Sequence, residues 1–312
     1  MIDFEETEFQ LRTEKVQKHM FENNVDAILL CTEPEVRYFT GFRSLFWQSP
    51  TRPWFVVIPK NGKPIAIIPD IGRDLMTRTW IDDIRTWPSP RREDEGISLL
   101  VEVLEGTKNI GILMGEEASL RMPLEDFEKL KLKIDGTFSD CSKIIKKVRL
   151  IKSEKEILIL KNICSVANRS FDRANRLFFS GQPLNEAFRE FKIALLEEGA
   201  EEVPYLVGGA GRDGYVDVIS PPSSKPLENG DILMLDTGST LKGYFCDFDR
   251  NWAIGTASDI AKRAYSKLHK VTELALDEIR PGMTCEEVFK LINNDLGGGS
   301  SNIGRMGHGL GI

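Results

Sequence analysis

The chain has 312 residues, with 41 Lys+Arg against 48 Asp+Glu for a formal net charge of −7, a length that suggests about two domains at roughly 100–200 residues each. Hydrophobic residues make up 41% and charged residues 29%, which excludes a disordered chain, a fibre and a Cys-rich secreted scaffold. No apolar run approaches the ~18–20 residues of a membrane-spanning helix, and an acidic balance gives no general attraction to nucleic acid, whose affinity comes largely from Lys and Arg meeting phosphates.

The N-terminus, Met1-Ile2-Asp3-Phe4-Glu5-Glu6, has no apolar stretch, so no secretory signal is expected. Glu8 to Asn23 reads as a helix, and Asp26 to Cys31 as a short apolar strand. Two apolar runs, Trp54–Ile58 and Pro64–Ile68, flank Asn61-Gly62. That pattern predicts a tight hairpin with positive φ at both turn residues. A helix over Glu95–Leu104, a strand over Asn109–Met114 and a helix from Pro123 to about Leu132 complete an α/β unit of alternating elements.

The character changes near Ser139–Ser153, where Lys143, Lys146, Lys147, Arg149 and Lys152 cluster. A basic cluster of this kind is most simply a solvated face. Ser153-x-x-Glu156 is a capping-box signature, followed at helical spacing by Ile157, Leu160, Ile163, Ala167, Phe171 and Ala174. A domain boundary is therefore expected near residue 140, giving domains 1–140 and 141–312. A second helix is predicted over Asn185–Glu198, stopped by Gly199. Val203 to Gly255 is strand-like, and helices follow over Asp259–Ile279 and Thr284–Asn294, the latter behind a second capping box, Thr284-x-x-Glu287. The segment Gly297–Ser301 reads as flexible.

Five cysteines, Cys31, Cys141, Cys164, Cys246 and Cys285, have no metal-ligand or redox-pair spacing. They read as small buried hydrophobes in a reducing, cytoplasmic compartment. The aromatics Phe46, Trp47, Trp54, Trp80 and Trp87 are core residues by default, with a pocket or interface as the other reading.

The chemistry concentrates later. The strand Ile232–Leu235 runs directly into Asp236, the chain turns, and it returns through Tyr244-Phe245-Cys246-Asp247-Phe248-Asp249-Arg250. A lone Asp at a strand end is ordinarily a cap. A hairpin, however, brings Asp236 beside Asp247, and paired carboxylates repel unless a cation or proton lies between them. Hard oxygen ligands of this kind suit divalent metals. Asp249, two residues from Asp247, shares its strand face and could orient a metal ligand or pair with Arg250. Of three histidines, His19 and His269 fall in amphipathic helices, where a surface or packing role suffices. His308 stands between Gly307 and Gly309 with no pattern to explain it, leaving room for a ligand. Gly208-Gly209-Ala210-Gly211 is read as a turn or a substrate-pocket loop. It is neither a dinucleotide fingerprint nor a phosphate loop.

These residues resemble the creatinase/prolidase/methionine-aminopeptidase superfamily of M24 metallopeptidases. Asp26–Leu30 and Tyr38-Phe39-Thr40-Gly41-Phe42 look like its creatinase-type N-terminal domain, and Val148–Ile157 like the entry to its catalytic domain. Gly230–Gly238, Gly243-Tyr244, Asp247-x-x-Arg250 and Gly307–Gly311 follow its metal motifs in order and spacing. The resemblance implies an α+β protein: an α/β N-terminal domain followed by a pita-bread catalytic domain, an antiparallel sheet covered by helices.

It also implies two divalent ions (Mn, Co, Zn or Fe), with Asp236, Asp247 and His308 as ligands. Asp249 and Arg250 would stand behind them, and Gly208, Gly209 and Tyr244 beside the substrate. The family's two Glu ligands follow the His, so the sequence is expected to be C-terminally truncated and inactive as it stands. The implied activity is that of an Xaa-Pro dipeptidase or aminopeptidase, in which metal-activated water attacks a small peptide. The implied state is a homodimer, with no nucleic-acid or membrane partner. Two departures favour other chemistry. Gly208–Asp231 lacks the family peptidases' substrate-contacting His, and Asp249 stands where Thr is common. The alternatives are a creatinase-like hydrolase of non-peptide C–N bonds or small-osmolyte enzyme, and a non-catalytic binding protein.

Overall fold

The structure, a computed structural model, describes residues 3–49, 52–115, 117–297 and 305–312. Gly298–Ser301 of the expected flexible segment lie outside these. The chain divides into two compact units, Met1–Lys155 with Ile312, and Glu156–Gly311.

In the first unit, helix α1 (Glu6–Glu22) buries Phe9, Val16 and Met20. Strand β1 (Ala27–Leu30) follows. Helix α2 (Glu33–Thr40) begins with Pro34 in its first turn and stops at Gly41, φ 75°, the left-handed residue that most readily ends a helix. Strands β2 (Phe55–Pro59) and β3 (Ile65–Pro69) pair antiparallel, with Val57 opposite Ile65. Only Gly62 of the Asn61-Gly62 pair has positive φ, at 88°. The expected two-residue turn is therefore a longer connection over residues 60–64, and register is set by the strands rather than by the turn.

A short helix α3 (Arg73–Met76), β4 (Ile84–Trp87), α4 (Ile97–Leu104), β5 (Asn109–Ile112), α5 (Leu124–Lys133), β6 (Thr137–Asp140) and α6 (Ser142–Leu150) complete the unit. The six strands form one mixed sheet in the order β4-β3-β2-β1-β5-β6. Both faces are covered. Ile28, Leu30 and Val56 enter one core with residues of α1 and α6, and Ala27, Leu29 and Phe55 enter another with residues of α4 and α5. This double burial explains why β1 reads as a continuous apolar run rather than an alternating one.

Helix α6 carries the basic cluster. Lys143, Lys146 and Lys147 are exposed, while Ile144, Ile145 and Val148 join the first unit's core. That apolar stripe draws the segment into the first unit, so the units divide later than residue 140. The tryptophans Trp47, Trp54, Trp80 and Trp87 are buried, and Phe46 is exposed.

In the second unit, α7 (Glu154–Asp172) buries Glu156, Ile159, Ile163, Val166, Ala167 and Phe171. Ile157, expected on that face, is exposed. Helices α8 (Ala174–Leu177) and α9 (Leu184–Glu197) lead to β7 (Glu202–Arg212), β8 (Asp231–Leu241), β9 (Tyr244–Phe245) and β10 (Phe248–Ala253). The antiparallel sheet runs β10-β8-β7, with β9 paired to β8. Leu233 and Leu235 of β8 pack into the core with Phe171, Phe188 and Phe191, so alternation turns Ile232, Met234 and Asp236 to the other face. Helix α10 (Asp259–Glu278) and helix α11 (Cys285–Leu296) pack on one another. The second capping box is present, with Thr284 accepting from Glu287 N and the Glu287 carboxylate accepting from Thr284 N.

Candidate functional site

The face of the second sheet that turns away from its core carries the chemistry. Strand β8 ends its apolar stretch at Asp236, and pairing with β10 sets Asp249 directly opposite. On the other side Val207 of β7 is opposite Asp236, and Tyr205 is opposite Gly238. The Tyr205 hydroxyl donates to Asp236 Oδ2 at 2.8 Å. The other oxygen, Oδ1, is buried and has no hydrogen-bond partner. Asp247 precedes β10 and lies close enough to interact with Asp236. Its Oδ2 is 2.8 Å from His308 Nε2. His308 is held by backbone as well, because Phe245 N donates to Gly311 O at 2.9 Å.

The carboxyls titrate accordingly. Burial, and then the neighbouring Asp247 charge, push Asp236 above the usual carboxylate range, while the Tyr205 hydrogen bond opposes them. Asp249 is pushed up to about 6 by loss of water around its carboxyl and by Asp236, with Arg250 opposing. Burial and the hydrogen bond to Asp236 raise the Tyr205 phenol to about 12. Carboxyls set side by side away from water repel unless a cation or a proton lies between them. A buried carboxylate oxygen with no donor in reach is the same deficit seen geometrically. Both features fit a divalent ion, as does the carboxylate–imidazole donor set. Among the described residues no three or more His, Cys, Asp or Glu side chains are grouped so as to hold a metal ion between them.

The remaining candidates separate. Asp249 shares the Asp236 face, but Arg250 lies on the opposite one. Its guanidinium stacks over Phe248, 4.9 Å from the ring centroid, and bonds the Asp249 carbonyl rather than its carboxylate. Gly208 and Gly209 sit inside β7 and not in a loop. Tyr244 is buried, and its hydroxyl donates to the Glu156 carboxylate at 2.9 Å. It packs the interior instead of lining a pocket. His19 pairs with Glu22, and His269 lies beside the Tyr265 ring. Cys31, Cys141 and Cys246 are buried, whereas Cys285 is exposed, contrary to expectation.

Three residues carry weight that the sequence did not reveal. One is Tyr205. The others are Tyr215 and Asn251, joined by a bond from the Tyr215 hydroxyl to Asn251 Oδ1 at 2.8 Å. Together with Ile232, Tyr265 and Leu268 they line a groove of about 460 Å³ beside α10. Asn251 also donates to Asp249 Oδ1 at 3.4 Å, which links the groove to the carboxylates. The signal for Tyr205 was its odd-numbered alternation with Val207 on β7, unusable until the register to β8 was known.

Residues 159–312 match the model of metallopeptidase family M24, and residues 12–151 match the creatinase/prolidase N-terminal domain. The chain belongs to metallopeptidase family M24. Members of this family generally use divalent metal ions, typically two. The M24 chain is 24% identical over 307 residues to an Xaa-Pro dipeptidase of Pyrococcus horikoshii, covering 96% of this chain and 81% of that one. It is 29% identical over 291 residues to a probable dipeptidase PepE of Mycobacterium bovis, covering 88% and 72%. In fold the M24 chain is similar to the crystal structure of the Pyrococcus horikoshii prolidase, with a TM-score of 0.81 at 23% identity over 96% of this chain and 82% of that one. The α/β N-terminal unit followed by an antiparallel sheet with helices is thus the architecture of solved prolidases.

Proposed function

We propose that Asp236, Asp247 and His308 contribute ligands to divalent ions in a metal-dependent hydrolase that cleaves the peptide C–N bond of small Xaa-Pro substrates. The observation that carries this reading is Asp236 Oδ1, a buried carboxylate oxygen with no donor, beside a second carboxylate that already engages an imidazole. Manganese, cobalt, zinc and iron all suit two carboxylates and an imidazole. Bound ions would supply a Lewis acid that polarises the scissile carbonyl and acidifies water.

The chain's own residues do the rest. Asp236 and Asp247 gather negative charge on one sheet face. The Phe245–Gly311 backbone bond fixes the segment that carries His308. Asp249 places a third carboxyl beside them, and the groove lined by Tyr215 and Asn251 offers space for a small peptide. Peptide hydrolysis as the reaction is supported by the similarity to an Xaa-Pro dipeptidase and a probable dipeptidase.

Manganese titration followed by calorimetry tests the reading. Asp236→Asn and His308→Ala should each weaken binding at least tenfold, and unchanged affinity in both sinks the proposal. A second reading, hydrolysis of a non-peptide C–N bond, is favoured by one observation: Gly208–Asp231 contains no His. Binding of Xaa-Pro dipeptides against guanidino-acid and cyclic-amidine ligands distinguishes the two. Metal retention without turnover on any of them would favour a binding protein.

A further inference from the structure

Asp249 brings to the ligand face a carboxylate that forms no ion pair with a cationic side chain among the described residues. It stands opposite Asp236 across the β10–β8 pair, so the two side chains share a face. Asn251, two residues further along β10, shares that face too. The Tyr215 hydroxyl donates to Asn251 Oδ1 at 2.8 Å. That bond turns the amide nitrogen toward Asp249 Oδ1, 3.4 Å away. Tyr215, Asn251 and Asp249 thus form one chain of bonds in which both donors are neutral. Among the described residues nothing donates to Asp249 Oδ2. Arg250, next in sequence, directs its guanidinium to the other face, over Phe248 and onto the Asp249 carbonyl. The stretch that supplies Tyr215, Gly208–Asp231, contains no His, so no imidazole from it neutralises the carboxylate either.

We propose that Asp249 is a specificity-determining residue: its carboxylate receives a cationic nitrogen, ammonium or guanidinium, that the substrate carries at or beside its scissile C–N bond. This rests on the reading of Asp236, Asp247 and His308 as a metal centre. The physical ground is charge. A positive group that approaches a face holding divalent ions is repelled unless a carboxylate stands beside it. Asp236 and Asp247 would be committed to the ions, whereas Asp249 is held by an amide that leaves its charge whole. The groove adds to this. The rings of Tyr215 and Tyr265 line it beside Asn251, and aromatic faces attract cations. Asp213 contributes a further carboxylate to its wall, and Lys262 there pairs with Asp259 at 3.9 Å. The α-ammonium of a dipeptide and the guanidinium of a non-peptide substrate are two sources of the same chemistry.

Two matched pairs of ligands, each pair differing by one positive charge, test the role and separate the sources. Alanyl-proline is compared with lactoyl-proline, in which a hydroxyl replaces the ammonium, and guanidinoacetate with ureidoacetate. Binding to manganese-saturated protein is measured by calorimetry. Wild-type protein should prefer the cationic member of at least one pair by about tenfold, and the pair that shows the preference names the source. Asp249→Asn keeps the shape of the side chain and removes its charge. It should abolish the preference by weakening the cation alone, with manganese affinity close to that of wild type. A preference that survives in Asp249→Asn, an equal loss of both members, or a wild type that binds neither cation more tightly than its neutral partner overturns the specificity role. Manganese affinity that falls together with the preference makes Asp249 a support of the metal and overturns it likewise. Undiminished manganese binding by Asp236→Asn is the separate failure of the metal reading.

Discussion

Asp249 and Asp236 face each other across the β10–β8 pair, two carboxylates set opposite at a position where like charges destabilise a sheet. A fold does not maintain such a pair for stability. The arrangement has a cost when metal is absent, and that cost has a measurable sign.

The Asp249 carboxyl titrates at about 6 in the folded protein, against an ordinary 3.8. A raised folded value means that the native state holds its proton more tightly than the unfolded chain does. Between about pH 4 and pH 6 the unfolded state therefore binds fewer protons, and stability falls as pH rises. The melting temperature of metal-free protein is expected to decline across that window. Asp249→Asn, which removes one of the opposed charges, should flatten the decline and raise the melting temperature at pH 7. A metal-free protein whose stability climbs over the same range contradicts this.

Gly208 sits in β7 at φ 153°, and a Cβ built there would stand 2.1 Å from the Met234 carbonyl oxygen. Backbone cannot yield as a flexible side chain does. Gly208→Ala should cost about 3 kcal/mol or more, through strain at this φ and displacement of β8. Denaturant titration measures it. Gly181→Ala provides the contrast: it too has positive φ, at 92°, but open space around it. It should cost only about 1 kcal/mol.

Cysteine reactivity should divide by environment. Burial raises the thiols of Cys31 and Cys141 to about 12, so almost none of either is thiolate at neutral pH. Cys285 is exposed at the start of α11. Alkylation with iodoacetamide followed by peptide mapping should label Cys285 first, with Cys31 and Cys141 reacting only on unfolding. Early modification of Cys31 would show that the first unit opens locally far more easily than its packing implies.

Most of the framework could be read from residues alone, because its signals are local. Apolar runs, caps and helix stops located α1, β1, α9 and α11 to within a few residues, and the order of motifs across Asp236, Asp247 and His308 pointed to the family. What stayed hidden depends on register or on faces. The partner of Asp236 across the sheet is Asp249, with Asp247 diagonal to it, and no local signal distinguishes these. Tyr205 needed the β7–β8 pairing before its hydroxyl could be set against Asp236. The fate of Tyr244 depended on meeting Glu156 from a distant helix. Glycines at 208 and 209 suggested a turn because their usual reading is conformational. Here they serve close approach within a strand, Gly208 to the Met234 carbonyl and Gly209 to the Asp217 carbonyl.

The backbone bond from Phe245 to Gly311 bears on how the site comes together. Asp236 and Asp249 lie on adjacent strands with Asp247 just before the second of them, and their approach closes only a short loop. His308 joins them only across α10 and α11, a far longer closure with a larger entropic debt. Loop-closure entropy therefore weighs more on the imidazole's place in the cluster than on the carboxylates', and the Phe245–Gly311 bond acts on the costlier of the two closures.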